Sequence, residues 1–223
     1  MQMPFPTVTP EEYQVLKEAC QSLPAPKGNY LESDFICNLL LTVLDYQLKG
    51  TIVSKACEHY KAKHWDSIRT MGDIKQFLDR FPDDKEGNLR AAEELWGYKY
   101  WNRIAQLRNL VRYFDAIGVR DQDSLRRWAE ESDFERSFRG RIKGLSYAVY
   151  KWLVMRLGVE TVKPDIHVMT YVKKSLGRDV DDRETVAVLE RVAQDIGRKV
   201  YELDWAIWEY ERGGAGVTQS SQQ

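Results

Sequence analysis

Residues 141–168 read RIKGLSYAVYKWLVMRLGVETVKPDIHV. Arg141-Ile142-Lys143-Gly144-Leu145-Ser146 has the makings of a tight turn between helices. Gly144 permits a positive φ and close backbone approach, and Ser146 can cap the helix that follows. From Tyr147 to Leu157 no strand alternation appears, and Gly158 is placed as a C-cap. Pro164 stops any earlier helix, and Asp165 caps a new one starting at Ile166. A turn entering a helix start aims N–H groups outward, which suits a phosphate. A carboxylate at a helix start is stabilised by the dipole and by backbone N–H groups.

The charge around this stretch is uneven. From Arg136 to Arg178 there are ten Lys/Arg and two acids, Glu160 and Asp165. From Asp179 to Arg212 there are ten acids and five Lys/Arg. The chain as a whole has 223 residues and a net charge of −1. A near-neutral total therefore conceals a basic segment, which is either a phosphate-binding face or a surface balanced by neighbouring acids.

Helical periodicity extends to nearly the whole chain, so the expected fold class is all-α. Thr9-Pro10-Glu11-Glu12 marks a helix start, and Pro24-Ala25-Pro26-Lys27-Gly28 its end. A second helix begins near Ser33-Asp34 and sends Phe35, Ile36, Leu39, Leu40, Val43 and Leu44 into a core. Further helices are expected over 51–61, 71–78, 93–114 and 124–130, with a polar loop at 81–88. After the stretch at 141–168 comes a last helix over 183–211, broken near Gly197 and ending at Gly213-Gly214. Residues 213–223 read as a disordered tail. The three cysteines, Cys20, Cys37 and Cys57, form no CxxC pair and read as buried thiols in a reducing compartment. Met1–Pro10 lacks the pattern of a signal peptide, and no apolar run reaches the roughly 18 residues of a membrane span. A soluble, cytoplasmic protein is expected. His59 and His64 have no supporting carboxylate cluster, so no metal site is indicated.

Gly144-Leu145-Ser146, a helix of about three turns, and then Lys163-Pro164-Asp165-Ile166-His167-Val168 resemble the signature of the helix-hairpin-helix DNA glycosylase superfamily. Gly144 and Asp165 are 21 positions apart, close to the spacing of that family's hairpin glycine and its aspartate. Upstream, Leu44-Asp45-Tyr46-Gln47 looks like the turn after the family's early helix. The likeness extends over about 33–177. It implies two helical lobes with a cleft between them. The central lobe would span 33–133, and the second lobe would combine 9–32 with 134–212. It also implies double-stranded DNA bearing a damaged or modified base as the partner.

Three departures refine the expectation. Lys143 stands where proline is usual, and Ser146 where the second glycine is usual. The bifunctional members' catalytic lysine position is Ala148 here, so no Schiff base is expected. No cysteine follows Cys57, so the iron–sulfur cluster of one branch is not expected, nor any other cofactor.

The resemblance thus implies a monofunctional base-excision enzyme. Breaking an N-glycosidic bond builds positive charge on the deoxyribose, and Asp165 is the candidate to stabilise it and orient a water. Arg141, Lys143, Gly144, Leu145, Ser146 and Lys151 are the candidates for DNA contact, with Tyr46 and Gln47 filling the gap left by a flipped base. Tyr147 is a further stacking candidate, while Trp96, Tyr100, Trp101, Trp205, Trp208 and Tyr210 are expected to pack helices. Two other readings stand beside this one. One is a non-catalytic helix-hairpin-helix DNA-binding protein. The other is a helical interaction domain whose basic segment pairs with its own acids.

Overall fold

The computed structural model describes residues 8–28 and 30–217. Among them all regular structure is helical, and no helix is long and apolar enough to cross a membrane. The chain divides into two units, Glu32–Leu157 and Met1–Leu31 with Gly158–Gln223.

The Glu32–Leu157 unit contains α2 (Phe35–Leu44), α3 (Gly50–His64), α4 (Met71–Asp79), α5 (Lys85–Trp96), α6 (Trp101–Ala116), α7 (Gln122–Glu131) and α8 (Tyr147–Arg156). Helix α2 starts where Asp34 accepts the Cys37 N–H, and all six of its expected core residues are buried. Each such side chain contributes roughly 1.5–3 kcal/mol on leaving water. Helices α6 and α8 pack on α2. Between α2 and α8 lies Arg156, which is 1% exposed. Its Nη2 donates to the Asn38 carbonyl (2.9 Å) and to Thr42 Oγ1 (2.8 Å). Burial pulls its pKa down to about 10. Arg156 therefore leaves the basic face assigned from sequence and belongs to the core.

The other unit contains α1 (Pro10–Gln21), α9 (Ile166–Leu176), α10 (Asp182–Asp195) and α11 (Val200–Val217). Helix α1 opens with a reciprocal cap. Thr9 Oγ1 accepts the Glu12 N–H, and the Glu12 carboxylate accepts the Thr9 N–H. Helix α9 packs on α1 and α11, with Leu16, Val168, Val172, Leu203 and Ile207 all fully buried.

Three local expectations change, and one element was not foreseen. The helix expected over 93–114 is two helices, because Gly97 takes φ +77° and ends α5. The loop expected at 81–88 ends early, since Asp84 accepts the Gly87 N–H and starts α5. A five-residue π-helical turn, Phe134–Phe138, precedes the Gly144 turn. Helix α11 continues through Gly213-Gly214 to Val217, because helical hydrogen bonding outlasts the two glycines. The rest of the expected tail, 218–223, lies outside the described residues, as does most of the Met1–Pro10 stretch. The division falls after Leu157, so the Gly144 turn and α8 group with 32–133, and the sequence boundary at 133/134 is not where the units part.

Candidate functional site

The Gly144 turn is pinned from below. Ile142 and Leu145 are 2% and 6% exposed, while Arg141, Lys143, Gly144 and Ser146 face outward. Leu145, a candidate for DNA contact, is therefore an anchor whose side chain is occupied by the core. Beneath the turn lies an aromatic floor in which Phe134 meets Tyr147 edge-on at 5.3 Å and Phe138 meets Tyr150 at 5.5 Å. Tyr147 is 9% exposed, so it is part of this floor and not a free stacking surface. Ser146 occupies the N-cap position of α8, but its side chain makes no capping bond. Gly144 has φ +85°, and a Cβ there would sit 2.6 Å from Gln106 Nε2.

Gln106 also reaches the second predicted segment. Its Oε1 accepts the Tyr46 hydroxyl and Arg103 Nη1. Arg103 Nη2 donates to the Tyr46 carbonyl at 2.9 Å, and the guanidinium lies 3.7 Å from the Tyr46 ring centroid. The Tyr46-Gln47 turn thus lies near the Gly144 turn, about a hundred residues away in sequence, with Gln106 close to both. Gln47 is exposed and takes φ +59°, the one non-glycine positive φ among the described residues. A side chain in the left-handed region costs of order 1–3 kcal/mol unless its surroundings hold it, and such positions cluster at functional sites. Arg103 is 6% exposed, and no carboxylate pairs with it among the described residues. Burial lowers its pKa. Neither Arg103 nor Gln106 was singled out from sequence. The signal was present, since Arg103 sits one helical turn before the buried Leu107, in phase with the core.

At least five of the segment's ten cations meet an acid, Arg136 with Asp133 among them. Arg139 pairs with Glu135 (2.7 Å), Lys174 with Glu211 (2.8 Å), Lys173 with Asp179, and Arg178 with both Glu12 and Glu184. Arg141 and Lys143 form no ion pair among the described residues. Lys151 is half-buried, with its ammonium 5.5 Å from the Tyr147 ring centroid.

Asp165 lies in the other unit, at the N-cap of α9. Its Oδ1 accepts the N–H groups of His167 (2.9 Å) and Val168 (3.1 Å). Its Oδ2 has no hydrogen bond among the described residues. Val168 is fully buried and Ile166 is 74% exposed, so the carboxylate is fixed at the edge of the fold. Behind it, Asp204 of α11 accepts the Lys163 N–H at 2.8 Å. His167 packs edge-on to Trp208 (6.3 Å), and Trp205 lies 4.1 Å from Tyr30, ring centroid to centroid.

Several other candidates resolve into packing. Both His59 and His64 place Nε2 against the Glu94 carbonyl oxygen, at 3.1 and 2.8 Å. A carbonyl only accepts, so both imidazoles donate and clamp α3 to α5. No cluster that could hold a metal occurs among the described residues. All three cysteines are free thiols, with Cys57 only partly buried. Burial raises Cys20 to about 12 and Cys57 to about 11, which makes them poor nucleophiles. Trp96 is buried as expected, but Trp101 is 40% exposed and Tyr210 57%. A groove of about 600 Å³ beside α4 is lined by Met71, Lys75, Asp79, Asp115 and Arg120. Lys75 and Arg120 both meet Asp115 there, at 2.5 and 3.5 Å, and no predicted site residue lines it.

A family described as a domain of unknown function, DUF8548, matches residues 101–212. The chain belongs to this family. The DUF8548 match takes in α6 to α10, the Gly144 turn, Asp165 and Asp204, and leaves out the Tyr46-Gln47 turn. No curated protein and no solved structure matches the chain.

Proposed function

We propose that this chain is a monofunctional DNA glycosylase of the helix-hairpin-helix type. The observation that carries the reading is that Gln106, hydrogen-bonded to Tyr46, lies close beside Gly144, so that the two turns the resemblance assigns to DNA contact lie near each other. On these turns, Arg141 and Lys143 offer charge to phosphates, and Gln47 stands outward on a left-handed backbone. Sequence-independent affinity comes from such phosphate contacts and is salt-dependent. Extruding a base from the stack costs a few kcal/mol, least where the pair is already damaged.

In this reading Asp165 faces the deoxyribose. As the base departs with the bonding electron pair, positive charge grows on the sugar, and a fixed carboxylate stabilises it. Water adds to C1′ and Asp165 accepts its proton. Oδ1 is held by two N–H groups, which leaves Oδ2 for this work. Ala148 supplies no amine, so the product is an abasic site and the strand stays intact.

The test is base release from duplexes carrying alkylated purines, oxidised purines, mismatches and modified pyrimidines, read with and without hot alkali. Alkali-dependent cleavage by the wild type, reduced roughly 10²-fold or more in Asp165→Asn, is expected. Tight, salt-sensitive binding with no release from any duplex would instead identify a non-catalytic DNA-binding protein.

A further inference from the structure

Among the described residues, Asp204 is the one acidic side chain that the fold buries deeply next to the candidate carboxylate. It is 2% exposed on α11. Its Oδ1 accepts the backbone N–H of Lys163, two residues before Asp165. The intervening Pro164 is buried, and the Asp165 N–H donates back to the Lys163 carbonyl at 2.7 Å. Lys163-Pro164-Asp165 is thus a short, stiff bridge with Asp204 at one end and the α9 cap at the other. We propose that Asp204 is a positioning residue for Asp165, fixing the bridge from the interior so that the Asp165 carboxylate keeps its place. The inference rests on the reading of Asp165 as the group that acts on the sugar.

The electrostatics favour a neutral acid at this point. Burial, aided by the charge of Asp165, pushes the Asp204 carboxyl up to about 8, against the opposing pull of the Lys163 amide, the Lys163 charge and a Tyr30 hydrogen bond. Several ionisable groups on the helices packed on α11 are paired away from Asp204. On α9, His167 meets Trp208 and Lys174 pairs with Glu211. On α10, Glu190 takes the Thr161 hydroxyl and Asp195 the Tyr13 hydroxyl. At neutral pH Asp204 keeps its proton and can hold the Lys163 N–H without setting a second charge beside Asp165. Above about pH 8 it ionises in a dry site, and repulsion acts directly on the bridge. The sign for stability follows. The folded carboxyl binds its proton to higher pH than the unfolded one at 3.8, so stability falls from about pH 4 to about pH 8 and then levels.

The experiment uses the full chain, with Asp204→Asn and Asp204→Ala. Asn is uncharged and keeps an acceptor for Lys163. The amide signals of Lys163, His167 and Val168 are followed by NMR from about pH 5 to about pH 9.5. The wild type is expected to show a step near pH 8 at Lys163 that is absent in Asp204→Asn. In Asp204→Ala the His167 and Val168 amides, which report Asp165 directly, should move. Base release at pH 7 should fall about tenfold or more in Asp204→Ala and return to within a few-fold in Asp204→Asn. The wild type's loss of rate above about pH 8 should vanish in Asp204→Asn. Unmoved His167 and Val168 amides, or no Lys163 step above the ordinary carboxylate range, would overturn the inference. These amide readouts stand even if no protein releases a base, an outcome that removes only the glycosylase reading. If Asp204→Ala fails to fold, Asp204→Asn against the wild type decides.

Discussion

Helices α8 and α9 both follow a basic, turn-forming stretch, but their first turns are completed differently. At α8, Ser146 stands in the N-cap position without capping, and Arg141 and Lys143 beside it have no ion pair among the described residues. At α9, Asp165 takes two N–H groups onto one oxygen and closes the helix end itself. An uncapped end beside unmatched cations suits a phosphate from outside. A self-capped end carries its own negative charge and repels one. The same feature, a helix start after a tight turn, is therefore left open to an anion in one unit and closed to one by its own carboxylate in the other.

The strongest way to break this contrast is at Gly144. Alanine there meets a φ of +85° and Gln106 at 2.6 Å, so Gly144→Ala should lower stability by about 1–3 kcal/mol. DNA affinity should fall with it, because Gln106 must release Tyr46 or move. Urea unfolding and a binding titration on one preparation measure both. A variant as stable as the wild type would mean that the turn is not held in the left-handed region.

A matched pair of substitutions sharpens the capping difference. Asp165→Ala removes two hydrogen bonds to backbone N–H groups and should cost about 1 kcal/mol. Ser146→Ala removes no cap and should stay within about 0.5 kcal/mol. Equal losses, read by thermal unfolding, would erase the distinction between the two helix starts.

The smallest effect is expected from the charges alone. Lys143→Ala and Arg141→Ala should each flatten the salt dependence of DNA binding by about one phosphate contact. Glu135-paired Arg139 is the control, and Arg139→Ala should change the slope less. Identical slopes for all three would show that the balanced and unbalanced cations are equivalent.

Much of this was readable in the chain. The caps at Thr9 and Asp165 were legible because a capping bond spans two or three residues and needs no tertiary partner, whereas Ser146, also expected to cap, makes no capping bond. The core face of α2 was legible because apolar side chains on a helix must find cover together. The break at Gly97 was missed because a glycine between two helical patterns ends a helix only when the following residues can leave the axis. The charge count at 136–178 misled for a physical reason. Lysine and arginine have the same formal charge wherever they sit, yet Arg156 is interior, Arg178 is locked between two glutamates, and Arg141 and Lys143 stand outward.

What the sequence determined by itself is the local chemistry, meaning helical class, turn residues, caps and the spacing of Gly144 and Asp165. Each of these depends on φ, ψ and hydrogen bonds within a few residues. What the tertiary structure decided is which charges are matched and which distant groups meet. It set Gln106 close to both Tyr46 and Gly144, tied Arg103 to the Tyr46 turn, and buried Asp204 behind Asp165. Burial and pairing are properties of neighbours in space, and no periodicity along the chain encodes which neighbours those are.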